Sequence, residues 1–319
     1  MATLVFGVGY IGSRLVQELL YQGREVVAFD NLFATDHRAI DGFGQAPGFR
    51  FIEGSIVDSG LADRAIDLAR DLDAIYILAA QASAHPEAAP PEYTEDVNLR
   101  GPRLILDAVV RRHLDVPIVY ASSTRVYGSP LPAIVDESTP YGVFGDLSHL
   151  SKCYAEKLLE MYAARHRLRC RAVRLGLVYG VAPVMKTDPR FMTAPNLFCY
   201  QAATGQSLEV RHRDTLAVIH VEDAARALLW SAEQIDAPGY SVFNAASAVT
   251  TVPEVAEKIR QVGESKELSV SIRSMVRGAN GLISIPVIRS ALTRSGFSSR
   301  RNIEEGLTET LDHFLVHGQ

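Results

Sequence analysis

Four residues near the amino terminus have the types and spacing of a site for a phosphate-bearing ligand. Gly7, Gly9 and Gly12 form a G-x-G-x-x-G motif, and Asp30 follows 18 residues after Gly12. Such glycines permit a tight turn, let the backbone approach a pyrophosphate and let a helix pack closely on a strand. The first turn of that helix offers free N–H groups. A carboxylate at position 30 accepts hydrogen bonds from ribose hydroxyls and repels a 2′-phosphate, so the pattern predicts NAD binding.

The elements around this motif alternate between apolar runs and helical patterns. Residues 2–6 form an apolar run that leads into the glycines, and the apolar positions of residues 11–22 recur with helical spacing. Further strands are predicted at 25–29, 49–53, 73–80, 116–123 and 170–175, with helices at 60–70, 92–113 and 149–166. This alternation predicts an α/β fold with a doubly wound parallel sheet of the Rossmann type.

The pattern loosens after residue 180 and predicts a smaller, mixed C-terminal lobe. Strands are expected at 217–221 and 241–245, and helices at 195–204, 222–234, 252–264, 285–294 and 302–316. We assign residues 1–175 plus 217–245 to an NAD-binding domain and residues 176–216 plus 246–319 to a substrate-binding lobe. Ligands of open α/β sheets bind beyond the carboxyl ends of the strands, so the cleft between the lobes is the expected site.

The composition excludes several classes of protein. The net charge of −5 comes without a basic surface pattern, which argues against a nucleic-acid partner. No run of 18 apolar residues is present, so no membrane partner is expected. Cys153, Cys170 and Cys199 have no C-x-x-C spacing, so neither a disulfide framework nor a metal site is predicted. The first residues do not resemble a signal peptide, and a cytoplasmic location is expected.

A series of short motifs runs through nearly the whole chain. They are LAAQASAHP (78–86), Asn98 with Gly101, ASSTRVYG (121–128), DESTP (136–140), SKCYAEKLLE (151–160), RLGLVYG (174–180), IHVEDAARALL (219–229), FNAAS (243–247) and RRNIEEGLTETLDHF (300–314). Together with the glycine motif they resemble the extended short-chain dehydrogenase/reductase family. Its members use NAD to epimerise, dehydrate or reduce nucleotide sugars.

The resemblance implies where the cofactor and the substrate bind. The implied NAD contacts are Gly7, Gly9, Tyr10, Ile11, Gly12, Asp30, Asn31, Asp58, Ala79, Ala80, Gln81, Asn98 and Lys152. The implied substrate contacts are Ser83, Thr124, Leu177, Arg211 and Arg213. Ser123 falls at the family's active-site Ser/Thr, which bonds the reacting sugar oxygen. The predicted helices 92–113 and 149–166 correspond to the family's usual dimer-forming pair, which implies a homodimer.

Some of these positions depart from the family pattern. The acidic residue that often meets the adenine falls at Ser55, although Asp58 lies nearby. The family's substrate-contacting Asn on the sixth strand is replaced by Leu177. The Arg expected shortly before residue 219 is absent, and Arg211 or Arg213 is expected to substitute for it. The identity of the nucleotide therefore stays open.

The largest departure affects the family's Tyr-x-x-x-Lys motif. Lys152 is present, but Ser148 stands four residues earlier, where the family's tyrosine acts as general base and acid. A serine hydroxyl on the same helical face is too short and too weak an acid for that role. Three interpretations stay open: another group replaces the tyrosine, with His85 or His149 favoured; the tyrosine was replaced deliberately to trap the protein; or the protein binds NAD without ordinary redox chemistry.

The favoured function is that of a nucleotide-sugar epimerase with a non-standard acid/base. Thr124 and Arg125 stand where dehydratases of the family carry Asp-Glu, which disfavours dehydration. The alternatives are an NAD(P)H-dependent keto-sugar reductase and a catalytically silent, NAD-binding scaffold protein.

Overall fold

A seven-stranded sheet forms the centre of the protein in a computed structural model, which describes residues 1–34, 40–234, 237–276 and 286–318. Every neighbouring pair of strands in it runs parallel. Numbered along the chain, its strands are β1 (Ala2–Phe6), β2 (Glu25–Asp30), β3 (Phe49–Glu53), β4 (Leu72–Ile77), β5 (Pro117–Ser123), β7 (Arg169–Leu175) and β11 (Gly239–Ala245). Their spatial order is β3-β2-β1-β4-β5-β7-β11, which confirms the predicted doubly wound α/β fold.

Helices cover both faces of this sheet. The α-helices of both lobes, numbered along the described residues, are α1 (Tyr10–Tyr21), α2 (Ser59–Leu68), α3 (Pro91–Glu95), α4 (Gly101–Arg111), α5 (Leu147–His166), α6 (Ala194–Ala203), α7 (Val221–Glu233), α8 (Val252–Ser265), α9 (Ala291–Arg294) and α10 (Ile303–His317). Buried side chains of α1 and α7 share one core, and those of α2, α4 and α5 share the core on the opposite face. No helix within the described ranges is long and apolar enough to cross a membrane.

A second lobe is built around a smaller mixed sheet. Its strands β8 (Leu177–Tyr179), β10 (Thr215–His220) and β12 (Ala248–Thr251) pair with β10 in the middle. Helices α6, α8 and α10 pack around a separate apolar core on this sheet. Two short ladders join β9 (Leu208–Val210) to β13 (Ile272–Ser274) and β6 (Ile134–Val135) to β14 (Val287–Ile288). The predicted boundary at residue 217 falls inside β10, and the predicted division into two domains stays a prediction.

Two predicted helices differ from the structure. The helix expected at 285–294 is instead the strand β14 followed by the short helix α9, while residue 285 lies outside the described residues. Ser290 separates the two elements because its side chain caps the first N–H groups of α9. The helix expected at 92–113 contains a π-helical turn over Asp96–Arg100. Pro102 lacks the N–H that would continue the regular ladder, which accounts for the change of register before it.

Buried hydrogen bonds join the first helix to the second lobe. The Tyr10 hydroxyl donates to the Gly180 carbonyl at 2.6 Å and accepts from Asn196 at 3.1 Å. One turn along α1, the Ser13 hydroxyl accepts from the backbone N–H of Val184 at 3.1 Å. All of these groups lie in the interior, where a polar group left without a partner is costly. The start of α1 is therefore fixed to the chain that follows β8.

Candidate active site

A cleft lies where the carboxyl ends of the central strands meet the second lobe. It encloses about 280 Å³. Its walls come from the chain just after β1 and β4, from the end of β5, and from β8 and β10 of the smaller sheet. The neighbours β1 and β4 are the strands between which the winding of the main sheet reverses, and this is where such sheets bind ligands.

The glycine-rich turn forms one end of the cleft. Gly7 has φ +96°, a conformation that side chains disfavour. A Cβ on Gly12 would lie 1.9 Å from the Gly7 carbonyl oxygen, and a Cβ on Gly7 would lie 2.3 Å from the Ala79 nitrogen. Among the described residues, no side chain caps the start of α1 at Gly9. The N–H groups of its first turn are therefore available to an anion, and the turn fits a dinucleotide pyrophosphate.

Asp30 fixes this turn from the end of β2. Its Oδ2 accepts from the Val8 N–H at 2.6 Å, and its Oδ1 accepts from the Leu32 N–H at 2.7 Å. Each oxygen retains a further lone pair for a ribose hydroxyl. Lys186, from the loop after β8, lines the same cleft. Burial lowers the pKa of Lys186, and the negative charge of Asp30 partly offsets that decrease.

The loop after β4 is held by a buried polar cluster around Gln81. The side chain of Asn98 accepts from the Gln81 N–H and donates to the Gln81 carbonyl, both at 2.8 Å. The Ser148 hydroxyl donates to the same carbonyl at 3.1 Å. Ser151 joins the cluster by accepting from Asn98 at 2.9 Å. Asn98 lies in the π-helical turn, so the altered register of that helix places the amide beneath the cleft loop.

Lys152 is a buried cation beside Ser148 in the cleft lining. Its Nζ donates to the Ala121 carbonyl at 2.8 Å and lies 4.8 Å from the centre of the Tyr120 ring. Burial lowers the pKa of Lys152 to about 8, although the negative charge of Glu156 acts in the opposite direction. The ammonium group has three donor hydrogens, so it can bond the hydroxyls of a ribose as well as this carbonyl.

A buried ion pair supports the end of β5. Arg174 on β7 donates to Glu156 on α5 with an N–O distance of 2.7 Å, and both side chains are buried. Glu156 also accepts from the Ser122 hydroxyl at 2.5 Å. The next residue, Ser123, lines the cleft, and its hydroxyl accepts from the Arg125 N–H at 3.2 Å. Ser123 therefore follows a residue that is anchored from beneath the sheet.

The start of α5 carries an imidazole beside a carboxylate. Asp146 caps this helix by accepting from the backbone N–H of His149 at 2.9 Å. Its other oxygen lies 2.5 Å from Nδ1 of the His149 ring. Both side chains are about a quarter exposed, at 25% each, and His149 lines the cleft next to Ser148.

Comparison of the sequence with known protein families agrees with a dinucleotide-binding cleft. Residues 3–246 match the model of the NAD dependent epimerase/dehydratase family. The chain belongs to this family. The predicted identity as an NAD-dependent enzyme of the extended short-chain type is thereby confirmed.

Individual relatives match to different extents. The chain is 28% identical over 180 residues to a putative UDP-glucose 4-epimerase of Methanocaldococcus jannaschii, a match that covers 56% of each protein. It is 27% identical over 316 residues to a low-salt glycan biosynthesis protein of Haloferax volcanii, covering 97% of this chain and 96% of that protein. A UDP-glucose 4-epimerase of Bifidobacterium longum, solved with NAD+ and UDP, has the same fold, with a TM-score of 0.82, 20% identity and 98% of both chains covered.

The structure brings most of the predicted site residues of this family member into one cleft. Those on the cofactor side are Gly7, Gly9, Tyr10, Ile11, Gly12, Asp30, Asn31, Ala79, Ala80, Gln81 and Lys152. Those on the substrate and catalytic side are Ser83, Ser123, Thr124, Ser148, His149 and Leu177. Their assigned roles stay predictions, but their common location agrees with one ligand-binding site.

Other predicted residues lie away from the cleft lining of the described chain. Asp58 caps α2, accepting from the Gly60 and Leu61 N–H groups at 3.0 and 3.2 Å. Asn98 is buried behind the lining, where it holds Gln81. His85 is exposed, and its Nδ1 accepts from the Glu87 N–H at 3.2 Å. The two arginines proposed for the substrate, Arg211 and Arg213, also lie outside the cleft lining.

Sequence reasoning missed several cleft residues. Lys186 and Phe191 belong to the Pro-rich segment after β8, which lacks the periodicity that assigns a residue to one face of an element. Phe33 stacks on Tyr93 with ring centres 4.1 Å apart, and both rings line the cleft. The proximity of Lys186 to the Asp30 end depends on the path of the chain between the lobes, and no local motif indicates such a path.

Proposed function

We propose that this chain is an NAD-dependent nucleotide-sugar epimerase. The supporting observation is one continuous cleft that joins the glycine-rich turn to the end holding Ser123 and Lys152. Thr124 and Arg125 also line it, in place of the acidic pair that family dehydratases use to remove a hydroxyl. The names of the relatives make a uridine diphosphate hexose the first substrate class to test.

The residues of the cleft fit NAD in distinct roles. The turn at Gly9 would hold the pyrophosphate, Asp30 the adenosine ribose and Lys152 the nicotinamide ribose. The protonated Lys152 would donate hydrogen bonds to that ribose from α5. When bound, NAD supplies a reversible acceptor for the hydride of a carbinol carbon.

The substrate side of the same cleft offers hydroxyls and one guanidinium. Ser123 would bond the reacting sugar oxygen, with Thr124 beside it, and Ser83 and Leu177 line the approach. Arg125 adds a positive charge near this end, and a guanidinium is a suitable partner for a diphosphate. Because Arg211 and Arg213 lie outside the cleft lining, Arg125 is the better candidate for the nucleotide diphosphate.

A panel of nucleotide sugars tests this proposal. The purified protein is incubated with UDP-glucose, UDP-galactose, UDP-N-acetylglucosamine, dTDP-glucose and GDP-mannose, and the products are separated by chromatography and mass spectrometry. We expect one pair of epimers to interconvert at constant mass with no net change in NADH. Stoichiometric consumption of NADH would instead establish a reductase. Failure to convert any member of the panel would contradict the proposal.

The same proposal includes a homodimer formed through α4 and α5. Leu150, Tyr154 and Met161 lie on one face of α5 and are 50%, 42% and 42% exposed, an apolar surface that a second copy would cover. A reducing, cytoplasmic location is supported by three cysteines that are free and buried.

A further inference from the structure

An epimerase needs one group that takes a proton from a substrate oxygen and later returns it. The family's tyrosine is absent, and the Ser148 hydroxyl that stands in its place donates to the Gln81 carbonyl. We propose that His149, oriented by Asp146, is the acid/base of this enzyme. This inference rests on the proposed function and names the residue that performs its proton transfer.

The location of His149 is suitable for an acid/base, because the residue lines the cleft. Among the described residues that line the cleft, it is the one histidine, the side chain that most readily exchanges a proton near neutral pH. It follows Ser148 directly on α5, about 100° further round the helix. Ser123 and Lys152 line the same cleft. His85, the other candidate from the sequence, is exposed and lies outside this lining.

Asp146 fixes the orientation of the His149 ring, as an acid/base needs. One carboxylate oxygen accepts the backbone N–H of His149 at 2.9 Å, and the other lies 2.5 Å from Nδ1. Burial raises the pKa of Asp146, but the hydrogen bonds from the His149 side chain and backbone, helped by the charge of Arg125, lower it below the usual value. An ionised Asp146 holds the proton of the neutral ring on Nδ1.

The consequence is a free lone pair on Nε2. Within the described part of the chain, Nε2 has no protein hydrogen-bond partner. With NAD bound to accept the hydride of the carbinol carbon, Nε2 would take the proton of the substrate hydroxyl, and Asp146 would stabilise the resulting imidazolium. The same nitrogen returns the proton when the hydride returns, so protons and electrons balance over one turnover. Asp146 is a positioning residue, since it acts through the ring.

Kinetics of matched variants test the assignment. We expect His149→Gln to lower kcat by about 100-fold or more, with KM and bound NAD nearly unchanged, because proton transfer is lost and binding is kept. Asp146→Asn should lower kcat by at least ~10-fold, since the ring loses its favoured tautomer. The control is His212→Gln, which alters a second His–Asp pair, with 3.4 Å between His212 Nδ1 and Asp214, outside the cleft lining. This control should retain the wild-type rate.

Two further measurements separate proton transfer from a structural role. NMR of isotope-labelled histidine should show the Nδ1–H tautomer at His149 in the wild type and its loss in Asp146→Asn; this readout needs no substrate. Added imidazole should restore activity to His149→Ala. If the wild type converts a sugar of the panel and His149→Gln does so within about threefold of its rate, the inference is wrong and the proposed function stands. If the wild type converts none, both are wrong.

Discussion

At the scale of single residues, the cleft contains a lysine whose burial makes stability depend on pH. Below pH 8 the Lys152 ammonium is charged in both the folded and the unfolded chain, so the cost of burying it is fully present. Between pH 8 and about 10.4 the folded form releases the proton and the unfolded form keeps it, so the free energy of unfolding rises with pH across this window. The rise is on the order of 3 kcal/mol.

Urea unfolding of the NAD-free protein at about pH 7 and about pH 10 measures this contribution. We expect Lys152→Met to lose the rise, because methionine carries no proton to release. Lys157→Met is the matched control, since Lys157 lies on the same helix with its side chain 62% exposed. Parallel pH profiles for the wild type and Lys152→Met would contradict the prediction.

The glycine-rich turn gives a second residue-scale prediction. The Cβ of Gly12→Ala would meet the Gly7 carbonyl oxygen at 1.9 Å, a backbone atom that cannot rotate away. We expect NAD affinity to fall by at least ~10-fold and the free energy of unfolding to fall by about 1–3 kcal/mol, because the turn must open. Calorimetric titration with NAD and thermal unfolding measure the two effects.

The control for this change is Gly60→Ala. A Cβ there would lie 3.4 Å from Asp58, an ordinary contact in the first turn of α2. Its unfolding free energy should stay within about 0.5 kcal/mol of the wild type, with NAD binding unaltered. Unaltered NAD binding in Gly12→Ala would show that the turn does not carry the cofactor.

The residues of the turn could be predicted from sequence, whereas the positions of Lys186 and Arg211 relative to the cleft could not. Gly7, Gly12 and Asp30 act through local backbone geometry, which a spacing pattern records. Lys186 reaches the cleft through the path of an irregular segment, and Arg211 is turned away to pair with Glu209 at 2.8 Å. Such outcomes depend on tertiary packing, for which a single sequence carries no periodic signal.

At the scale of elements, the buried pair Arg174–Glu156 ties β7 to α5 beneath the site. Glu156→Ala leaves the Arg174 cation buried without its anionic partner, and we expect a loss of about 3–5 kcal/mol in the free energy of unfolding. The double variant Glu156→Leu with Arg174→Met should lose less, because no charge is stranded. Urea denaturation measures both.

An exposed pair on the same helix provides the comparison. Lys157 and Glu160 lie 2.8 Å apart with side chains 62% and 50% exposed, so Glu160→Ala should change the free energy of unfolding by less than about 1 kcal/mol. Equal losses for Glu156→Ala and Glu160→Ala would contradict the role given to burial.

The strands of the main sheet were the most predictable elements, because central strands such as β1 are short apolar runs buried on both faces, and the partly exposed edge strand β3 keeps apolar residues at alternate positions. The helices of the second half were predicted where their apolar spacing persists, as in α8 and α10. The prediction of a helix at 285–294 was wrong because the few apolar residues there are compatible with a short strand as well as with a helix. Val287 and Ile288 pair with β6. The π-helical turn was missed because its cause, Pro102, acts on hydrogen-bond register and leaves the apolar pattern intact.

At the scale of the whole molecule, the proposed dimer depends on the exposed apolar face of α5. Tyr154→Glu would bury a charge in that contact, so we expect the dissociation constant of the dimer to rise by at least ~10-fold, as measured by sedimentation velocity. Val316→Glu, on α10 and 73% exposed, is the control and should leave the dimer intact. A wild-type protein that sediments as a monomer at every concentration would refute the dimer itself.

The bonds from Tyr10 and Ser13 to the second lobe have a consequence for how long a ligand stays. Because the start of α1 is anchored to Gly180, Asn196 and Val184, the wall proposed to hold the pyrophosphate cannot swing outward unless buried hydrogen bonds break together. Escape of a bound dinucleotide then requires a rare local opening, so its residence time should be long compared with a catalytic cycle. Such a protein would carry one dinucleotide through many turnovers and keep it through purification.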